Sequence, residues 1–221
     1  MEQIIVQPVA ITQPLVDFIP DSEGILSYCA RVSNPANQCN FDTADKLLNY
    51  CANEGHWSVF EMVNIVLHVK APRDISRQIL RHRSGAFQEF SQRYAEVQND
   101  MFTVRETRMQ DTKNRQNSFV CEDQALIAEW ENRQRQVIDL VVSNYQWALN
   151  NGIAKESARV ILPEGNTMSS MFVNLNVRSL VHWINVRRGN GTQKEHTDVA
   201  LKALEACRPY FPLSWKAFYD A

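Results

Sequence analysis

The chain has 221 residues, 44% of them hydrophobic and 22% charged, a composition that suits one globular domain over residues 1–221. Its formal charge of −2 (23 Lys and Arg against 25 Asp and Glu) gives no general attraction to nucleic acid or to an acidic membrane. No apolar run approaches the roughly 20 residues of a membrane span, and five widely spaced cysteines without a CxxC pair argue against a disulfide framework or a zinc site.

Residues 42–54 read as a helix, capped by Asp42 or Thr43, with Leu47, Leu48 and Cys51 facing inward and Gly55 ending it. Residues 62–71 alternate as a strand, with Val63, Ile65, Leu67 and Val69 on one face. Ala71-Pro72 breaks the strand, and Pro72 suits the first position of a helix that reaches about Arg81. On it, Ile75 and Ile79 mark one stripe; Arg73, Arg77 and Arg81 mark another. Residues 84–94 read as irregular, and 95–120 as polar and loop-rich.

The longest helical candidate is 122–150, with Leu126, Trp130, Val137, Val141 and Ala148 along one side, read as core in preference to interface. Asn151-Gly152 stops it. A shorter helix covers about 154–162 and ends at Pro163. Residues 167–175 suit a strand; 177–188 and 193–207 suit two helices divided by Gly189-Asn190-Gly191. Helix exceeds strand, and the two do not interleave regularly. The expectation is an α+β fold, a mixed sheet with several helices. No GxGxxG follows a strand, so no Rossmann crevice is expected. The N-terminal MEQIIVQPVAITQP has no basic stretch before its apolar residues, which speaks against a signal peptide. The odd number and wide spacing of the cysteines suit a reducing, cytoplasmic setting.

The stretch RHRSGAFQEFSQRY, residues 81–94, stands out against the acidic whole. From Lys70 to Tyr94, six cations and two carboxylates leave +4. Guanidinium forks match phosphate and carboxylate oxygens bidentately. Arg81, His82 and Arg83 are consecutive, so on a helix end they point three ways, which suits a surrounding anionic ligand. A following Ser/Gly loop offers backbone N–H groups to an anion, and Phe87 and Phe90 offer apolar walls. The plain alternative is a solvated helix face with surface ion pairs.

Arg81-His82-Arg83, then Ser91 after seven residues, resembles the signature of the flavin-dependent thymidylate synthases. EGHWSVFEMVNIVLHVKAP, ESARVILP, NVRSLVHWINVRR and TQKEHTDVALKAL resemble further segments of that family, in order. The family often has serine where Ala86 stands and asparagine where Gln88 stands; position 182, here histidine, can be asparagine.

The resemblance implies a chemistry. The family makes dTMP from dUMP, with methylenetetrahydrofolate as carbon donor, FAD carrying hydride and NADPH as reductant. No protein nucleophile is implied, and no proline precedes a cysteine here, unlike the cysteine-dependent class. The implied catalytic residue is Arg187, orienting the pyrimidine and favouring ionisation at its N3; the alternative is a cation at a helix end, a role Arg188 could fill. For dUMP the implied residues are Gln78, Arg81, Glu89, Ser91, Arg93, Arg159 and Arg187. Arg81, Arg93 and Arg159 would meet phosphate, while Glu89 and Gln78 would receive sugar or base groups. Ser91 is read as a phosphate ligand, since no His–Asp pair accompanies it; Glu89 could also pair with Arg93. For FAD the implied residues are His56, Ser58, Arg81, His82, Arg83, Glu89, Asn176, Arg178 and His182. Read without the family, His182 would be a satisfied core histidine. The resemblance also implies a homotetramer with active sites between subunits. The rivals are a nucleotide- or RNA-binding module without catalysis, and another FAD enzyme on the same fold.

Overall fold

A computed structural model describes residues 4–220. The strands are β1 (Ile5–Ile11), β2 (Asn64–Pro72), β3 (Ala86–Glu89), β4 (Arg108–Gln110), β5 (Ser118–Val120) and β6 (Met168–Asn176). The helices are α1 (Ser22–Ala30), α2 (Ala44–Asn53), α3 (Arg73–Ile79), α4 (Gln124–Asn150), α5 (Lys155–Ala158), α6 (Val177–Arg187), α7 (Lys194–Cys207) and α8 (Pro212–Tyr219). The α+β class holds. The main sheet runs β1-β2-β6-β3, while β4 and β5 form a separate ribbon. Every pairing in the main sheet is antiparallel, so the sheet is not mixed as expected.

The two long central strands explain the core. Antiparallel register places Ile65 opposite Leu175, Leu67 opposite Val173 and Val69 opposite Met171. Directly opposed residues share a face, and this face is fully buried apart from 2% exposure at Leu175. Leu180, Val181, Trp183 and Ile184 of α6, Val199, Ala203 and Cys207 of α7, and Leu48, Phe60 and Trp215 complete the same core. Glu23 ties the ends of the chain together: its buried carboxylate accepts the N–H groups of Leu213 (2.8 Å) and Ser214 (2.6 Å) at the start of α8. The other face of the sheet is more open; there His68 stacks on half-exposed Phe172 and bonds Ser170 Oγ at 2.7 Å.

Several boundaries differ from the sequence reading. Pro72 is the last residue of β2 and the N-cap of α3; α3 itself is Arg73–Ile79. A proline can end an extended segment and precede a helix with one conformation, here φ −54° and ψ 143°. Thr43 stands at the N-cap of α2, as one of the two expected positions, but its side chain makes no capping bond; its Oγ1 accepts from Arg31 at 2.7 Å. Residues 86–89, read as irregular, are strand β3, because β6 offers a free edge that the local pattern does not reveal. Gly85 makes that docking possible: a Cβ there would lie 2.7 Å from Leu175 Cδ2 and 3.3 Å from the Asn174 carbonyl.

The 122–150 expectation gives helix α4, started by Asp123, whose carboxylate accepts from the N–H groups of Ala125 and Leu126. The expected stripe is core only at its C-terminal end: Ala148 is buried and Val141 packs beside it, with Tyr145, against Val97, Ala158 and Leu162, whereas Leu126, Trp130 and Val137 are exposed, as are neighbouring Leu140 and Trp147. Midway along the helix Gln134 is buried, accepting the Arg105 N–H at 2.8 Å.

Candidate active site

The segment after α3 turns rather than continuing as helix: the Gly85 N–H bonds to the His82 carbonyl at 3.1 Å. This turn meets the C-terminal end of α6. Arg187 Nε donates to His82 Nε2 at 3.2 Å. A ring nitrogen that accepts carries no proton. Burial, with Arg187 and His182 nearby, pushes the His82 pKa down to about 4. The His82 ring is 6.5 Å from the rings of His182 and His196, and 6.3 Å from Trp183. Burial and then the charge of Arg81 also lower the pKa of Arg187. Arg81, Arg83 and His182 are exposed at this rim. His182 is thus no core histidine; that position belongs to fully buried His196.

Beside the turn, Glu89 of β3 faces two arginines of α3. Its oxygens lie 3.2 Å from Arg73 and 3.1 Å from Arg77, and it accepts from Ser169 Oγ at 2.7 Å. Arg73, read as part of a helix-surface stripe, is only 5% exposed. Burial lowers its pKa, while Glu89 supports its charge. Glu89 therefore does not pair with Arg93 as the spacing allowed. The strand points Glu89 back at α3, and Arg93 Nε bonds Glu156 at 2.9 Å instead. Ser91 Oγ accepts the Arg93 N–H at 3.3 Å. Half-buried Arg159 opens the turn after α5, close enough to Arg73 to lower its pKa.

The remaining residues lie around the start of α6. Asn176 is its N-cap, its Oδ1 accepting from Ser179 N at 2.8 Å. Arg178 pairs with Glu61. Glu61 ends the short turn Trp57–Glu61, which packs on α6 and carries exposed His56 and Ser58 at its beginning. Tyr50 meets the His56 ring edge-on at 5.7 Å.

The fold thus brings Arg81, His82, His182 and Arg187 together, and sets Glu89 apart among α3 arginines. A cavity of about 390 Å³ bounded by the β4–β5 ribbon, α4 and α7 contains none of the predicted residues. The cations instead form an open rim. Sequence reasoning missed five residues behind that rim: Asp74, Arg105, Gln193, Glu195 and His196. Gln78 Oε1 lies 3.1 Å from His196 Nδ1, and Gln78 Nε2 bonds Gln193 at 2.8 Å. Arg105 joins Asp74 (2.9 Å) to Glu195 (2.8 Å); these partners outweigh burial and raise its pKa, while Arg105 in turn lowers that of Glu195. The signal was present in TQKEHTDVALKAL, where Gln193, Glu195 and His196 sit together, but their partners Gln78 and Arg105 are 90 or more residues away.

Comparison with known proteins identifies the family. Residues 14–213 match the family model described as thymidylate synthase complementing protein. A flavin-dependent thymidylate synthase of Synechocystis sp. is 44% identical over 207 residues, spanning 92% of this chain and 94% of the relative. The chain belongs to the flavin-dependent thymidylate synthase family. Membership makes it an enzyme of methyltransferase type and a flavoprotein. A probable flavin-dependent thymidylate synthase of Paramecium bursaria Chlorella virus 1 is 42% identical over 209 residues, covering 95% of this chain and 96% of the relative. A UMP/dUMP methylase, PolB from Streptomyces cacaoi, solved with 5-Br dUMP, has a TM-score of 0.83 at 26% identity; the match covers 100% of this chain and 96% of that one. Among the described residues, no helix is long and apolar enough to cross a membrane.

Proposed function

We propose that this thymidylate synthase methylates dUMP reductively to dTMP in the cytoplasm, with methylenetetrahydrofolate and NADPH as co-substrates. The observation that carries this reading is the Arg187–His82 contact, which joins the RHR turn to the helix that supplies the pyrimidine-orienting arginine. FAD, when bound, supplies the hydride carried from NADPH. The donor set fits such a group: exposed Arg81, Arg83 and Arg178 suit a pyrophosphate, and His56, Ser58, His82, Glu89, Asn176 and His182 would supply the remaining contacts.

Arg187 would hold the uracil and stabilise the negative charge that develops on it. Arg81, Arg93 and Arg159 would hold the nucleotide phosphate, with the Ser91 hydroxyl beside them. Glu89 and Gln78 would meet sugar or base. No side chain is assigned as nucleophile. The second chemical role of the protein is exclusion of water, and an open rim cannot do that alone. Assembly into a homotetramer with sites between subunits would close it. The exposed stripe of α4 and the open face of the sheet at Phe172 are the surfaces available for such contacts.

The test is direct. The purified protein is incubated with dUMP, methylenetetrahydrofolate and NADPH under conditions that reduce its flavin. Formation of dTMP is the expected result. Reduced flavin without dTMP rejects the reaction, and a colourless protein that binds nucleotide without turnover supports the binding module.

A further inference from the structure

A chain of hydrogen bonds lies behind Gln78, and its polarity is set from both ends. At the buried end, the Trp183 indole N–H reaches His196 Nε2 at 3.1 Å. An indole can only donate. His196 Nε2 must therefore accept, and the single proton of the neutral ring sits on Nδ1. That nitrogen is 3.1 Å from Gln78 Oε1, so it donates there. At the other end stands Asp74, whose carboxylate can only accept and is itself held by Arg105 at 2.9 Å. Gln193 must turn its Nε2 to Asp74, at 3.3 Å, and its Oε1 to Gln78 Nε2, at 2.8 Å.

Side-chain amide orientation is normally inferred from neighbours. Here a donor-only group and an acceptor-only group impose the same answer. Gln78 turns its oxygen inward to His196 and its amino group toward Gln193. His196 is fully buried. Burial, then Arg187 and His82, push its pKa down to about 3, so the ring stays neutral and the tautomer is preserved. A protonated ring would aim a second N–H at the indole N–H.

We propose that His196, through this chain, fixes Gln78 as a hydrogen-bond donor to an oxygen of the bound nucleotide, and is thus a positioning residue for substrate. This rests on the reading of Gln78 as a dUMP contact. Gln78 Nε2 has two hydrogens, and Gln193 takes one. The second is available for a uracil carbonyl or sugar oxygen. A ligand group that itself donates, such as an amino substituent, would meet an N–H and be disfavoured.

Steady-state kinetics of the flavin-loaded enzyme, with dUMP varied, test this. Gln78→Ala and His196→Phe should each raise the dUMP KM about fivefold to tenfold, the loss of one hydrogen bond, with kcat within about twofold. His196→Asn, whose amide N–H can replace Nδ1–H, should restore most of the KM. Gln193→Met alters an exposed residue and leaves the core untouched, so it serves if His196→Phe does not fold. It should raise KM about twofold or more, and add nothing to Gln78→Ala in the double variant. A wild-type KM in folded His196→Phe or Gln193→Met, where Gln78→Ala raises it, overturns the chain while leaving the Gln78 contact standing. An equal loss of kcat in His196→Phe and His196→Asn, without a rise in KM, assigns His196 a purely structural role and also overturns it. An unchanged KM in Gln78→Ala overturns both.

Discussion

Arg187 Nε donates to His82 Nε2 across 105 residues of sequence, at 3.2 Å. The contact fixes two things together. It holds His82 unprotonated at Nε2, and it anchors a half-buried guanidinium close enough to Arg81 for that charge to lower its pKa. Adjacent Arg188 has a different task, lying 4.9 Å over the Tyr219 ring. Arg188 is thus taken up by Tyr219, which leaves Arg187 as the arginine of this helix end to which the proposed function gives the uracil.

That division gives a paired prediction. Arg187→Ala should lower dTMP formation on the order of 10²- to 10³-fold, as expected for losing a donor to developing charge, with flavin absorbance retained. Arg188→Ala should leave turnover unchanged and cost about 0.5–1 kcal/mol of stability, the typical worth of an exposed cation–π contact. Turnover and urea unfolding of both variants check this; a wild-type rate in Arg187→Ala removes its uracil role.

A second prediction concerns acid. His82 and His196 have native pKa values of about 4 and about 3, below the ordinary 6.5. As pH falls below 6.5, the unfolded chain takes up both protons and the native chain does not. Stability must fall with pH, by up to about 1.4 kcal/mol per pH unit for each histidine. Glu23 works in the opposite sense near its own titration, because burial raises its carboxyl. The measurement is therefore comparative: urea midpoints between pH 6.5 and 5 for wild type, His82→Phe and His196→Phe. Each variant should flatten the slope by about one proton. An unchanged slope refutes buried neutrality at that histidine.

The legible and illegible parts of the molecule divide by the range of the information. β2 was readable because Ile65, Leu67 and Val69 alternate with half-exposed neighbours, a period of two that no helix shares. Likewise α7 and the interruption at Gly189-Asn190-Gly191 were visible locally. β3 was not, since Ala86–Glu89 becomes a strand only because β6 lies beside it, and Gly85 clears the approach. The site shows the same limit. The arginines of RHR were conspicuous, but Glu89 has Arg93 four residues away and yet pairs with Arg73 and Arg77. His196 gave no sign of its role, because Trp183 and Gln78 reach it only in three dimensions.

The Glu89 pairing predicts unequal costs for its partners. Arg73 has a side chain only 6% exposed, whereas that of Arg77 is 43% exposed. Glu89→Gln leaves the buried charge of Arg73 with Glu164 alone, 3.7 Å away and half-exposed, and should destabilise by about 2–4 kcal/mol, toward the cost of breaking a buried pair. Arg77→Ala removes a largely solvated partner and should cost under about 1 kcal/mol. Urea unfolding of the two variants decides it; equal small losses would mean that water reaches Arg73.

Finally, α4 predicts assembly. Trp130, Val137, Leu140 and Trp147 recur at spacings of seven and three, which places them along one stripe of a 27-residue helix. All four are exposed in the isolated chain, Leu140 and Trp147 at 63% each. A stripe of this kind on a monomer marks a surface that another apolar surface covers. Since the cationic rim is also open, the association that covers the stripe can close the site. Leu140→Lys should then reduce the assembly mass in light scattering and lower dTMP formation together, while circular dichroism keeps its helical signal. A variant of unchanged mass and activity would show that the stripe lies outside the contact, and would leave the open face around Phe172 to provide it.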